Sequence, residues 1–207
     1  MKIKTKNRRL GILLSGRGSN FDAIAGNIKR GALDAEIAVV ISNVESAPGL
    51  ERAREFRLND VCIPSKGRSR EQFDALVLEK LRAHDVGLVA LAGFMRIVSS
   101  TMTNAFPNLI LNIHPALLPS FPGLDAQKQA LDHGVKFSGC TVHTVNDTLD
   151  GGPIIMQAIV PVMDDDTVEM LSSRILKEEH RIYSEAIELV LSGRCEVHGR
   201  RVVVNDD

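Results

Sequence analysis

Four apolar runs, each short enough for one strand and each separated from the next by a helical pattern, constrain this chain most. They are "LGILL" (10–14), "EIAVVIS" (36–42), "VGLVALAG" (86–93) and "LILNI" (109–113). None alternates polar with apolar, so both faces of each strand must be covered. Between them, the spacing of Phe21, Ile24, Ala25 and Ile28 is helical, and "GLERAREF" (49–56) and "REQFDALVLEKLRAH" (70–84) also read as helices. "DVCIP" (60–64) reads as a further strand, and a short helix is expected between residues 93 and 109. Strands that alternate with helices this way predict an α/β fold: a doubly wound, mostly parallel central sheet flanked by helices.

The pattern changes after about residue 115. "SGCTVHTV" (138–145) and "PIIMQAIVPV" (153–162) read as long strands joined by "NDTLDGG", after a loop "PSFPG" and a short helix "LDAQKQALDHG" ending at Gly134. This predicts a change of strand direction within one sheet, with antiparallel strands in the C-terminal part, and not a domain boundary. A long final helix should follow, with acids at its start and Gly193 at its end. "CEVHGRRVVV" suggests a terminal hairpin. The expectation is one domain over residues 1–207, whose part up to about residue 115 binds a phosphate-bearing substrate and whose remainder completes the site.

Composition narrows the partners. Apolar residues make up 44% of the 207, enough for a substantial core, and the formal net charge of −1 supplies no field to draw the chain to nucleic acid or a membrane. Aromatics are 4% and Trp is absent, so base-stacking platforms are not expected. Cys62, Cys140 and Cys195 are odd in number and form no CxxC pair, which argues against a zinc site or disulfide framework and fits a reducing cytoplasm. "MKIKTKNRRLGILLSG" begins basic and turns apolar, but the apolar part is shorter than the roughly seven to fifteen residues of a secretory signal. It reads as a frayed basic tail leading into the first strand.

"SGRGSN" follows the first strand and opens a helix, where α/β proteins hold phosphate. Glycine lets the backbone approach, and free N–H groups at the helix start face the anion. No Gly-Lys-Ser/Thr follows, and Phe21 stands where the dinucleotide fingerprint needs its third glycine. A simple phosphomonoester fits these residues better than a dinucleotide. A tight turn with Ser19 or Asn20 as N-cap is the plain alternative.

"LNIHPALLPSFPG" ends a strand on Asn112 and His114, then stiffens the loop with prolines. Two residues apart, the amide and the imidazole point to one side of the strand and could converge on one atom, where they would stabilise developing negative oxygen. Asp150, ahead of two glycines in "LDGGPII", could orient His114 and favour its charged form. The plain readings are structural residues closing a strand and an Asp-Gly turn. In the final helix Val168, Leu171, Ile175, Ile182, Ala186 and Val190 form an apolar stripe, and Glu179 falls on or beside it. It is either a ligand-binding carboxylate or a boundary residue reaching solvent.

Together "SGRGSN", "SNVESAPGLERA", "LAGFMRIVS", "LNIHPALLPSFPG", "VHTVNDTLDGGPIIMQ" and "EEHRIY" resemble the glycinamide ribonucleotide formyltransferases, a folate-dependent family, over nearly the whole chain. The resemblance implies a formyltransferase-like fold and transfer of a formyl group from 10-formyltetrahydrofolate, as cosubstrate, to the amine of 5′-phosphoribosylglycinamide in purine synthesis. It implies that Gly18, Ser19 and Asn20 hold the phosphate and that Glu179 contacts the ribonucleotide. Arg70, Met95, Arg96, Ile97, Val98 and Asn112 would contact the folate. Asn112, His114 and Asp150 would be the catalytic group: Asn112 and charged His114 stabilise a tetrahedral oxyanion, and Asp150 relays a proton. The implied partners are these two ligands, with no metal, nucleic acid or membrane, for a cytoplasmic monomer or homodimer. Formyltetrahydrofolate hydrolases and methionyl-tRNA formyltransferases share the Asn/His/Asp set but resemble longer chains; a non-catalytic nucleotide or folate binder is the alternative from another class.

Overall fold

A computed structural model describes residues 1–205. In chain order its elements are β1 (Arg9–Leu14), α1 (Ser19–Lys29), β2 (Glu36–Ser42), α2 (Pro48–Glu55), β3 (Asp60–Cys62), α3 (Arg70–Ala83), β4 (Leu88–Leu91), α4 (Ser100–Ala105), β5 (Ile110–His114), α5 (Ala126–Asp132), β6 (Phe137–Thr144), β7 (Ile154–Pro161), α6 (Val168–Leu191), β8 (Cys195–His198) and β9 (Arg201–Val204). The strands form one sheet in the order β3-β2-β1-β4-β5-β6-β7-β9-β8. The first five are parallel; β6 runs antiparallel to β5, and β7 antiparallel to β6. The expected reversal after residue 115 is therefore the β5–β6 step. The chain winds outward from β1 in one direction and from β4 in the other, so the topological switch point lies between them.

Each face of the sheet has its own core. Leu111 and Ile113 of β5, with Cys140 and Val142 of β6, pack with Leu171, Ile175, Ile182 and Ala186 of α6. Ile110 of β5 turns the other way, into a cluster with Phe73, Val77 and Leu81 of α3 and Met102 of α4. Strand alternation then puts Asn112, His114, Thr141 and His143 on the face away from α6. The segments that follow β5 and β6 cover them: Thr141 Oγ1 donates to the Ala116 carbonyl at 2.7 Å and accepts from Leu118 N–H at 3.0 Å. Tyr183, buried in α6, places its hydroxyl 3.0 Å from the carbonyls of both Leu91 and Leu111, tying the ends of β4 and β5 together.

Three sequence expectations are corrected. The N-terminal tail is not frayed: Ile3 is buried, its N–H donates to Cys195 O at 2.9 Å, and Val197 N–H donates to Met1 O at 2.8 Å, so the tail extends the β8 edge. The N-cap of α1 is Gly18, at φ 79°, with no side-chain capping bond; Ser19 and Asn20 are the first helical residues. Val168 is an exposed residue at the start of α6, where Thr167 caps the helix through Met170 N–H, and the buried stripe begins at Leu171.

The two glycines after Asp150 are required by close approach. A Cβ on Gly152 would lie 1.7 Å from the Thr144 carbonyl oxygen, and one on Gly151 would lie 2.5 Å from Thr148 Cγ2. Gly16 has open space around its Cβ position. Gly152→Ala should therefore cost at least the roughly 1–3 kcal/mol of an overpacked site, because backbone has to move. Gly16→Ala should leave the melting temperature near that of the parent. Calorimetric melts of the two variants check this contrast.

Candidate active site

The cavity at the switch point measures about 240 Å³ and is lined by Ser15, Gly16, Arg17, Gly18, Ser19, Asn20, Ala92, Gly93 and Met95. It joins the loop after β1 to the loop after β4, at the carboxyl ends of parallel strands. Ser15 links the two loops: its N–H donates to Gly93 O at 3.0 Å, and its Oγ accepts from Met95 N–H at 2.8 Å and donates to Asn43 Oδ1 at 2.6 Å. With Gly18 as cap, the leading N–H groups of α1 have no side-chain acceptor, so this helix start is equipped to take an anion. Gly18 also has to be small, since a Cβ would meet Gly49 Cα at 3.1 Å.

Glu179 reaches this wall from α6. It is 7% exposed, and Asn20 Nδ2 donates to its Oε2 at 2.9 Å. Burial pushes the Glu179 carboxyl above its ordinary range, and the Asn20 hydrogen bond pulls the other way. Asn20 Oδ1, also buried, has no hydrogen-bond partner among the described residues. The boundary reading of Glu179 fails, because its head group does not reach solvent.

A second polar group stands where β5 meets β6. Leu91, which precedes the cavity-lining Ala92 and Gly93, pairs with Asn112, and Asn112 pairs with His143 across the antiparallel step. Asp150 lies between two imidazoles, with Oδ2 3.4 Å from His114 Nδ1 and Oδ1 3.7 Å from His143 Nε2. Its Oδ2 also accepts from Gly123 N–H at 2.8 Å, which ties the Pro-rich loop to the "DGG" loop. His114 Nε2 donates to Phe121 O at 2.8 Å. Thus both His114 nitrogens face oxygen atoms, the Phe121 carbonyl on one side and Asp150 on the other.

His143 is the member that the sequence reading missed. Thr144 O can only accept, so His143 Nδ1, 2.9 Å away, carries the proton. Nε2 then accepts from Asn112 Nδ2, 3.2 Å away, which sets the orientation of that amide. Burial lowers the His143 pKa and keeps the ring neutral, as this pairing requires. Its place opposite Asn112 depends on strand register, and "TVHTV" carries no mark of that.

The remaining candidates form the rim. Met95 and Ile97 are 69% and 50% exposed, while Val98 is buried in the second core. The Arg96 guanidinium lies 4.7 Å over the Phe73 ring, with a buried Nε that has no hydrogen-bond partner among the described residues. Arg70 is the exposed first residue of α3, and among the described residues no hydrogen bond or ion pair joins it to the other candidates. The structure therefore gathers Gly18, Ser19, Asn20 and Met95 around the cavity, with Glu179 behind Asn20, and Asn112, His114 and Asp150 one strand away.

The sequence pattern of the family described as "Formyl transferase" matches residues 8–187. The chain belongs to the formyl transferase family. It is 40% identical to the phosphoribosylglycinamide formyltransferase of Bacillus subtilis over 185 residues, covering 89% of this chain and 95% of that one. It is 43% identical to the trifunctional purine biosynthetic protein adenosine-3 of Gallus gallus, covering 95% of this chain but only 20% of that protein. The crystal structure of glycinamide ribonucleotide transformylase 1 from Symbiobacterium toebii superposes with a TM-score of 0.94 at 53% identity, covering 97% and 95% of the two chains. The mixed sheet, mostly parallel with antiparallel C-terminal strands, is the formyl transferase fold.

The buried carboxyl of this formyl transferase gives a stability test. Glu179 has a raised folded-state pKa, so its ionisation costs more in the folded than in the unfolded protein. Stability is full below the unfolded carboxyl value, about 4.3, and is lost as pH rises through the folded one. Glu179→Gln removes that loss: it should melt higher than the parent at about pH 8, and the gap should close as pH falls toward about 4. Melts across pH measure it.

Proposed function

We propose that this formyl transferase moves the formyl group of 10-formyltetrahydrofolate to the amine of 5′-phosphoribosylglycinamide, giving formylglycinamide ribonucleotide and tetrahydrofolate. The observation that carries this reading is the buried Asp150 carboxylate set between His114 and His143, with Asn112 hydrogen-bonded to His143, one strand from a cavity that opens on a helix N-terminus. Gly18, Ser19 and Asn20 take the phosphate on the N–H groups that begin α1. Glu179 takes a hydroxyl or amine of the ribonucleotide, next to the unpaired Asn20 Oδ1.

Exposed Met95 and Ile97, with the unpaired Arg96 Nε, suit a ligand that is part apolar and part polar, as a folate is. Arg70, Met95, Arg96, Ile97, Val98 and Asn112 would hold the folate, Val98 through its backbone. When bound, the folate supplies the formyl group. Asn112, oriented by His143, and His114, whose Nε2 N–H turns from the Phe121 carbonyl to the ligand, stabilise the negative oxygen that develops during transfer. Asp150 fixes the His114 ring and helps relay the proton from the attacking amine to the departing folate nitrogen as its bond to the formyl carbon breaks. The whole chain serves one site, its first part holding the phosphate and its later part completing the catalytic group. We place the activity in the cytoplasm, as a step of purine synthesis, in a monomer or homodimer. Among the described residues no helix is long and apolar enough to cross a membrane.

The test is formyl transfer from 10-formyltetrahydrofolate to the ribonucleotide, with a control in which water is the only acceptor. Deformylation in that control at the full rate would favour a hydrolase instead. Asp150→Asn sharpens the test. Asp150 sits at φ 49°, which asparagine tolerates, and an amide oxygen can still accept from Gly123 N–H. The expected result is a kcat loss of roughly 10²- to 10⁴-fold with both KM values little changed. A lower melting temperature with near-normal kcat would reduce Asp150 to a turn residue.

A further inference from the structure

Asp74 is a buried acid that the proposed chemistry does not use. It lies in the second turn of α3, is 2% exposed, and accepts the Ser99 N–H on Oδ2 at 2.5 Å. Ser99 is the N-cap of α4 and the last residue of the 93–99 segment, which follows β4. That segment is fastened at its other end by Ser15, which bonds Gly93 O and Met95 N–H. Between the two ends it grips α3 through aromatic contacts. Phe94 stacks on Phe73 with centroids 6.2 Å apart, and the Arg96 guanidinium lies over the same Phe73 ring, 4.7 Å from its centroid. A capping box between Ser69 and Gln72 fixes the start of α3 just before these residues.

The segment between the two fastenings carries Met95 and Ile97 outward. An irregular strap with exposed apolar side chains holds one shape only if its ends are fixed and its backbone N–H groups are satisfied. A buried carboxylate bonded to a helix-cap N–H is among the stronger such ties, because the acceptor is ionised and the helix start is electropositive. Asp74 has no route to a ligand of its own, since it is enclosed between α3 and the strap.

We propose that Asp74 is a positioning residue, which holds the 93–99 strap in the shape that receives the folate cosubstrate. The inference rests on the proposed folate contacts of Met95 to Val98, and the variants separate the two. Asp74→Ala frees the Ser99 N–H and lets the strap relax. Asp74→Asn keeps an acceptor oxygen at the same place. Ile97→Ala removes an exposed strap side chain directly, without touching the Asp74 tie.

Steady-state kinetics on all three, with a thermal melt of each preparation, form the experiment. Asp74→Ala should raise KM for 10-formyltetrahydrofolate about tenfold or more, the scale of one lost charged hydrogen bond. KM for the ribonucleotide should stay within about twofold of the parent, and Asp74→Asn should recover most of the loss. If Ile97→Ala raises the folate KM while Asp74→Ala changes only the melt, or raises both KM values alike, Asp74 is structural and the positioning role is overturned. If neither variant moves the folate KM, the strap does not hold the folate and both readings fall. Should Asp74→Ala not fold, Asp74→Ser takes its place, because its shorter side chain does not reach the Ser99 N–H: it should raise the folate KM alone, and an unchanged folate KM overturns the proposal.

Discussion

A strand covered on both faces can end in polar side chains only if the protein replaces the water they lose. β5 does this at Asn112 and His114, and much of the C-terminal half can be understood from that need. An unpaired buried amide or imidazole costs on the order of 1–3 kcal/mol, so partners have to be brought in. The reversal at β6 brings His143 opposite Asn112. The loop after β6 brings Asp150 within 3.4 Å of His114. The Pro-rich loop brings the Phe121 carbonyl to the other side of that ring. Each partner in turn needs fixing, which explains the Gly123 N–H on Asp150 and the Thr144 carbonyl on His143. These contacts hold the two imidazoles, the amide and the carboxyl in one arrangement.

The N-terminal half solves a different problem. There the functional groups are backbone N–H groups, so they require space around them and freedom from caps. Gly18 supplies both: its positive φ turns the chain into α1, and its lack of a side chain admits Gly49. A serine or aspartate cap would satisfy the same N–H groups internally and so compete with a phosphate. The choice of glycine sacrifices some helix stability for an open anion site. Ser15 then joins this half to the strap after β4, so that the anion site and the strap share one hydrogen-bonded support.

These differences decide what can be read from the residues alone. Continuous apolar strands and 3.6-residue periodicity act locally, and they mark the sheet, the helices and the change after residue 115. Glu179 is visible because a carboxylate on an apolar stripe breaks a local rule. His143 is not, because a histidine inside "TVHTV" breaks no rule until register sets it beside Asn112. Asp74 is hidden for the same reason: "REQFDAL" reads as an ordinary amphipathic helix, and its acid becomes informative only when the Ser99 N–H is found against it. The N-terminal tail looks frayed in the sequence because its order comes from pairing with β8, at the far end of the chain.

The polar atoms that remain unpaired complete the physical account. A folded protein satisfies nearly all of its buried polar groups, so those left without partners need an explanation. Asn20 Oδ1 stands in the wall of the cavity, His180 Nε2 belongs to the residue next to Glu179, and Arg96 Nε lies on the strap. These three lie in or next to segments assigned to one ligand or the other, while the buried hydroxyls of Ser99, Ser138 and Thr144, which also lack partners among the described residues, have no such assignment. Within the protein they are a cost of the order of a lost hydrogen bond each. A ligand that supplies the missing partners recovers that cost on binding, and one that cannot leaves it in place. Discrimination between polar ligands of similar shape therefore comes from these atoms more than from the apolar rim, since a missing hydrogen-bond partner in a buried site is penalised far more than a missing methylene.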